Sequence, residues 1–473
     1  MARKWELLVT RRIGIQVAQQ WNHAFWLMQK PFGIGIDDTR IVWDGHKTQY
    51  FVDARQLRQF EQGMREKLRD ALFVRHFARD ARRFLESQSR AIRKECQTDF
   101  SRLSDRQLAR RFRKVSATAD EYYTRMWLVF LINEPLAQAV MRTLARFAPG
   151  EADGLLLAFS SPLRPNEAIR ERQDLLRIAL QPASRHASLL DRHWRKYRHI
   201  PVFDFNHEPW PLEHFKAELD RIEGRKAAKG ELEETEATFK KRRRAFASNL
   251  SSLHLDSPGL EAAQIRMLSD LAFLRDHRDS LRQKMNLALR NLYGEIARRA
   301  GMTIGQVSLL TTDEIHDLVL HPNARSSLRQ AAQKREKGFV LIESPGKTKV
   351  TANKTLKKRK TVAGAVCGIE ANPGTAIGVA RLVLTNLDLP KIRDGDVLVA
   401  AMTRQDFVPY IRRCAALVTD EGGVTCHAAI IARELGIPCI VGTKDATRKL
   451  TDGQRVRVDA NLGQVVPNRS KKL

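Results

Sequence analysis

Apolar residues recur every three or four positions from about residue 54 to 335, the period of amphipathic helices. The clearest stripe runs through 262–298: Ile265, Leu268, Leu271, Leu274, Leu281, Met285, Leu289, Leu292 and Ile296, interrupted by Arg278. Ser104-Asp-Arg-Gln and Thr311-Thr-Asp-Glu314 carry helix-start signals, the latter with capping-box spacing. The first fifty residues differ: Trp5–Thr10 reads as a strand, Gly14–Met28 as a helix, and Arg40–Asp53 as a hairpin around Asp44-Gly45. Residues 215–245 are a charge-dense helix or helical hairpin ending in Lys240-Lys-Arg-Arg-Arg244. Between 343 and 362 the periodicity gives way to Pro, Gly, Thr and Lys, including Lys357-Lys-Arg-Lys360. That stretch reads as a Lys-rich flexible linker. Beyond it, short apolar strands alternate with two amphipathic helices and glycine-bearing turns, an α/β pattern. The expected fold is multidomain α + α/β: a mainly helical, basic region at 1–342, the linker at 343–362, and a compact domain at 363–473.

Composition narrows the class. A chain of 473 residues, 43% hydrophobic and 29% charged, reads as a globular protein of two or three domains. The longest apolar run, Met126–Ile132, is far short of the ~18 residues that span a membrane. No apolar signal-peptide core follows Met1, and five cysteines lack CxxC spacing. The expectation is a cytoplasmic protein without a membrane anchor, a disulfide framework or a metal site. Of the formal net charge of +28, 15 Lys and Arg against 11 Asp and Glu fall in 361–473, so +24 lies in 1–360. Such a field attracts polyanions, and nucleic acid is one possible partner, although a generally basic surface is the favoured reading.

Three motifs fail on spacing. Ser344-Pro-Gly-Lys-Thr348 resembles the end of a P-loop, but Leu341 stands where the first glycine is needed. Gly33-Ile-Gly35 lacks the third glycine of a dinucleotide fingerprint, because Asp38 occupies that position. His186, His193, His199, His207 and His214 are spaced by six to eight residues, which does not place two ligands on one helix face.

Residues 419–442 read differently. Ala416–Thr419 ends a strand, and Gly422-Gly423 permits a tight turn and close approach of a ligand. Thr425 is a candidate N-cap for a helix from about Cys426 to Leu435, stopped by Gly436 with Pro438 beyond. His427 then lies in the first turn, where unpaired backbone N–H groups and the helix dipole favour an anion. A neutral imidazole there can attack a phosphoryl group, leaving the new phosphate against those donors. Ala428, Ala429 and the glycines leave room for it. A capping or packing histidine is the other reading.

The segment Gly422-Gly-x-Thr-x-His427-Ala-Ala-Ile-Ile-Ala-Arg433 resembles the phosphohistidine signature of the PEP-utilising enzymes, which include PEP synthase, pyruvate phosphate dikinase and rifampin phosphotransferase. The resemblance covers roughly 363–468, with Asn372-Pro-Gly-Thr-Ala-Ile-Gly378, Asp394-Gly-Asp-Val-Leu-Val399 and Val458-Asp-Ala-Asn-Leu-Gly463 in place. Departures are Asn372 for Ser, Ala460 for Gly, and Thr403-Arg-Gln-Asp406 for the commoner Thr-Pro-Asp.

The resemblance implies that 363–473 is a β/β/α swivelling domain with His427 as phosphoryl carrier. Gly422, Gly423 and Thr425 would shape the phosphate pocket, and Thr419 and Arg433 would support it. In the helical region, Arg275 and Arg278 are candidates to face the transferring phosphate or an anionic acceptor, with a structural salt bridge the alternative. The ATP-grasp and PEP/pyruvate barrel modules of complete family enzymes are not recognisable in the sequence. Mg-ATP is therefore expected at a separate ATP-grasp nucleotide-binding partner, with a small molecule or pyruvate as acceptor. The competing reading is a non-enzymatic basic scaffold with a relic carrier domain, binding nucleic acid or an acidic protein.

Overall fold

The computed structural model describes residues 4–11, 13–43, 48–257, 259–352, 366–384, 386–403, 407–423 and 426–468. The chain divides into two compact units, Met1–Thr355 and Leu356–Leu473.

The first unit is a helical assembly built on a sheet. Strands β1 (Trp5–Arg11), β2 (Thr39–Trp43), β3 (Thr48–Asp53), β4 (Phe339–Ser344) and β5 (Lys347–Ala352) lie in the order β1-β3-β2-β4-β5. All adjacent pairs are antiparallel. The helix Ile15–Phe32 packs on this sheet, its Trp21 and Phe25 rings against Tyr50 and against Trp127 of the helix Asp105–Leu131. Helix starts follow local chemistry. Asp53, Asp70, Ser104, Thr303 and Thr311 each accept a backbone N–H at an N-cap, and the last three complete capping boxes.

The apolar stripe at 262–298 becomes the helix Leu260–Ala300, which ends at Gly301 in the left-handed conformation. It packs against the helices Ala71–Glu95 and Asn133–Phe147. The charge-dense stretch resolves into the helices Leu212–Asp220 and Gly224–Ser252. A satellite cluster of Leu175, Ile178, Leu190, Tyr197, Ile200 and Phe215 forms a second apolar centre.

The segment expected to be linker starts differently. Residues 343–352 are the end of β4 and all of β5, joined by Pro345-Gly346, where Gly346 takes φ 72°. A proline at the first turn position followed by a positive φ is the requirement of a tight type II turn. The carboxylate of Glu343 anchors the hairpin. It is 1% exposed and accepts hydrogen bonds from Gln19 Nε2 at 2.7 Å, from Thr348 Oγ1 at 2.8 Å and from Asn22 Nδ2. The remainder of that segment, 353–362, lies outside the described residues, as does the Asp44-Gly45 turn.

The second unit holds β6 (Val366–Cys367), β7 (Ile369–Asn372), β8 (Thr375–Val383), β9 (Val397–Ala400), β10 (Ala416–Thr419), β11 (Cys439–Val441), β12 (Arg455–Asp459) and β13 (Gln464–Pro467). Their order is β6-β13-β12-β8-β9-β10-β11-β7. β8 belongs to two pairings. Thr375–Val379 runs antiparallel to β12, and Ala380–Val383 runs parallel to β9. β9, β10 and β11 continue in parallel. Parallel strands buried on both faces read as unbroken apolar runs, and all four residues of both β9 and β10 are buried.

Candidate functional site

The parallel arrangement brings three chain segments together at the carboxyl ends of neighbouring strands, where open α/β sheets place their ligands. Thr403 follows β9, the glycine turn and His427 follow β10, and Gly442 follows β11. The helix after β10 spans His427–Leu435 and ends at Gly436, left-handed at φ 67°. Its inner face, Ala428, Ala429, Ile430, Ile431 and Ala432, is buried. Ala428 and Ala429 therefore pack the helix rather than open the pocket.

The N-cap position belongs to Cys426, whose side chain makes no capping hydrogen bond, and the helix starts one residue later than the sequence suggested. Thr425 lies outside the described residues. The Cys426 side chain thus accepts none of the first-turn N–H groups, an arrangement that suits an incoming anion.

Half-buried His427 occupies the first helical position. Its Nδ1 lies 2.8 Å from the hydroxyl of Thr403, which is 3% exposed. A threonine hydroxyl can donate to Nδ1 or accept from it. In the accepting arrangement the ring carries its proton on Nδ1, and the lone pair belongs to Nε2.

The turn ahead of the helix is held by backbone constraints. Gly422 adopts φ 109°, and a Cβ there would stand 2.7 Å from Cys426 Sγ. Gly442, at φ 68°, faces the Gly422 carbonyl so closely that a Cβ would come within 2.9 Å of it. Gly423 is different: its φ is not in the left-handed region and open space surrounds its Cβ position. Thr419 is buried at the strand end, donates to the Glu421 carbonyl at 2.7 Å, and accepts at its own carbonyl from Thr443 Oγ1 at 2.9 Å. Arg433 reaches the Ala371 carbonyl at 3.5 Å, and Asn372 donates to the Ile437 carbonyl at 2.8 Å. Both tie the C-terminal end of the helix to β7. Asn372, one of the departures from the family pattern, thus keeps a structural task.

Arg275 and Arg278 belong to the first unit. Arg278 is 8% exposed and donates to the carbonyls of Arg275, at 3.2 Å, and Met126. Its own carbonyl accepts from the Tyr122 hydroxyl, and its guanidinium lies 5.6 Å from the Phe130 ring centroid. The contacts join two long helices. The nearest carboxylate, Asp279, stands 3.9 Å away, so the guanidinium is satisfied chiefly by backbone carbonyls rather than by a close salt bridge.

Sequence reading missed Thr403 as the partner of His427. Thr403 opens a segment that departs from the family motif, and nothing in a single sequence pairs positions 24 residues apart. Among the described residues, no group of three or more His, Cys, Asp or Glu side chains is placed to hold a metal ion.

Residues 392–463 match the family described as PEP-utilising enzyme, mobile domain, and the second unit carries such a domain. This region is similar to a probable phosphoenolpyruvate synthase of Archaeoglobus fulgidus, 50% identical over 105 residues, or 22% of this chain and 14% of that protein. A probable phosphoenolpyruvate synthase of Staphylothermus marinus is 34% identical over 214 residues, covering 45% of this chain and 22% of that protein. An uncharacterized phosphotransferase of Bacillus subtilis is 33% identical over 188 residues, covering 36% of this chain and 22% of that protein. These last two matches are longer than the second unit and so extend into the helical one. The aligned stretches span less than a quarter of each relative. Among the described residues, no helix is long and apolar enough to cross a membrane.

Proposed function

We propose that this chain is the phosphoryl-carrying component of a phosphotransferase, with His427 as the carrier. The observation behind this reading is the contact between Thr403 and His427 Nδ1, inside the segment that matches the mobile domain. Nε2 of neutral His427 attacks a phosphoryl group of Mg-ATP bound to an ATP-grasp partner protein. The new P–N bond forms as the P–O bond to the nucleotide breaks, and that electron pair leaves on the nucleotide oxygen. The proton on Nδ1 stays against Thr403. In the second half-reaction an acceptor oxygen attacks phosphorus and the P–N pair returns to Nε2. The helix N–H groups hold the phosphoryl oxygens in between. The acceptor is a small molecule or pyruvate, bound with the help of the helical unit.

The test is intact-mass measurement after incubation with Mg-ATP, alone and with extract of the source organism, beside His427→Ala. The expected result is an acid-labile gain of one phosphoryl group that requires the extract and His427. A gain without extract would place a nucleotide site on this chain. No gain, with the extract shown to load a known carrier, would overturn the reading in favour of a basic scaffold.

A further inference from the structure

The helical unit contains an arginine-lined cavity that the carrier reading does not use. It has a volume of about 90 Å³ and lies between the helices Ala71–Glu95 and Leu260–Ala300 and the segment bearing Arg164. Arg79, Arg82 and Arg164 line it, against a single carboxylate, Asp270. Phe273 supplies an apolar wall, with the Arg164 guanidinium 4.0 Å and that of Arg170 5.8 Å from its ring centroid.

The charges in this cavity are not balanced from within. Arg164 comes no closer than 3.8 Å to Asp270. Arg79 is turned toward Asp80 at 3.0 Å and His76 at 2.9 Å. Nε of Arg82 is buried and meets no protein acceptor. A buried N–H left without an acceptor costs about 1–3 kcal/mol. Burial also pulls the Arg164 guanidinium below its ordinary pKa, with the nearby Arg82 and Arg170 charges adding to the effect. A tetrahedral or planar oxyanion would accept from Arg82 and offset the surplus charge, as guanidinium forks bind phosphate and carboxylate. The space admits such a group but not a whole nucleotide, since pockets for drug-sized ligands run to roughly 300–1,000 Å³.

We infer that the cavity lined by Arg79, Arg82 and Arg164 is a binding site for the phosphate or carboxylate group of a small molecule. It stands whether or not His427 carries a phosphoryl group, because its test is equilibrium binding.

The experiment is titration of the full chain with inorganic phosphate, and in a second arm acetate, at constant ionic strength set with chloride. Arg82→Gln, Arg164→Gln and Asp270→Asn are compared with the wild type, each checked for an unchanged melting transition. Saturable binding should weaken roughly tenfold in either arginine variant, the scale of one lost charge-assisted hydrogen bond. It should tighten in Asp270→Asn, where the repelling carboxylate is gone. A merely structural arginine cluster would not give that opposite sign. Preference for phosphate or for acetate assigns the head group. Absence of saturable binding in both arms, or affinities indifferent to Arg82 and Arg164, overturns the inference. So does single-stranded RNA binding with steep salt dependence in the absence of phosphate binding, which would mark a diffuse polyanion surface instead.

Discussion

The hydroxyl of Thr403, on the loop after β9, and Nδ1 of His427, at the start of the helix that follows the parallel neighbour β10, lie 2.8 Å apart. This contact orients the imidazole, and with the hydroxyl as acceptor it keeps the ring proton on Nδ1, as the proposed attack by Nε2 requires. Second-partner control of a histidine tautomer is a recurrent device in catalysis. Thr403→Val keeps the side-chain shape and removes the contact. Phosphoryl loading of His427 is expected to slow by roughly tenfold, the equivalent of about 1.4 kcal/mol in the barrier. Thr403→Ser should restore the rate. Equal rates for Val and Ser variants, measured by acid-labile label incorporation, would show that the hydroxyl is not involved.

The two glycines of the turn are expected to separate. Gly422→Ala places a Cβ against Cys426 Sγ at a backbone φ of 109°. Strain of this kind costs about 1–3 kcal/mol. The variant should therefore melt earlier and load poorly. Gly423→Ala meets open space and should do neither. Thermal denaturation and loading of the two variants side by side decide the matter.

Asn22 links three elements of the first unit. It is buried, accepts from the Tyr50 hydroxyl of β3 and donates to the Glu343 carboxylate of β4. Asn22→Leu removes an acceptor of the Tyr50 hydroxyl and one of three donors to the buried Glu343 carboxylate. A loss of about 2–4 kcal/mol is expected in chemical denaturation, since a buried carboxylate loses a donor. A loss below ~1 kcal/mol would mean that Gln19 and Thr348 suffice.

The satellite cluster predicts acid sensitivity. Burial, aided by the Lys284 charge, pulls His199 down to about 3 from its ordinary 6.5. Burial likewise takes His214, stacked 4.0 Å from the Trp210 ring, down to about 4. Both stay neutral in the fold, whereas the unfolded chain takes up their protons below pH 6.5. Their contribution is complete above that pH and is lost as pH falls toward 4 and then 3, by about 1.4 kcal/mol per pH unit for each histidine. Urea midpoints followed by tryptophan fluorescence from pH 7 to 4.5 should show this decline, and His214→Gln should reduce its slope.

Local signals carried much of this structure into the sequence. The helix Leu260–Ala300 was visible in its apolar stripe, and the β-strand, helix and hairpin of the first fifty residues in their alternation and turns. Gly422 and the stop at Gly436 are legible because a positive φ calls for glycine there, whereas His427 is legible through the resemblance of its segment to the phosphohistidine signature. The hairpin β4–β5 was not. Its Pro-Gly turn and lysines read as linker, and what makes β4 a strand is pairing with β2, Phe339 opposite Trp43, across nearly three hundred residues. The same holds for the arginine cavity, whose lining comes from three separated segments. Interactions between distant positions leave no periodicity to read.

Every group found to shape the histidine pocket, from Thr403 through Gly422 and Cys426 to Gly442, comes from a single unit. The proposed reactive centre thus draws these described groups from the second unit. Such grouping makes the segment transferable by gene fusion or fission: it can be joined to a new acceptor-binding partner without rebuilding its chemistry. A stretch of about a hundred residues that keeps half its identities, against about a third over the longer matches that reach beyond it, is the pattern that such recombination would leave.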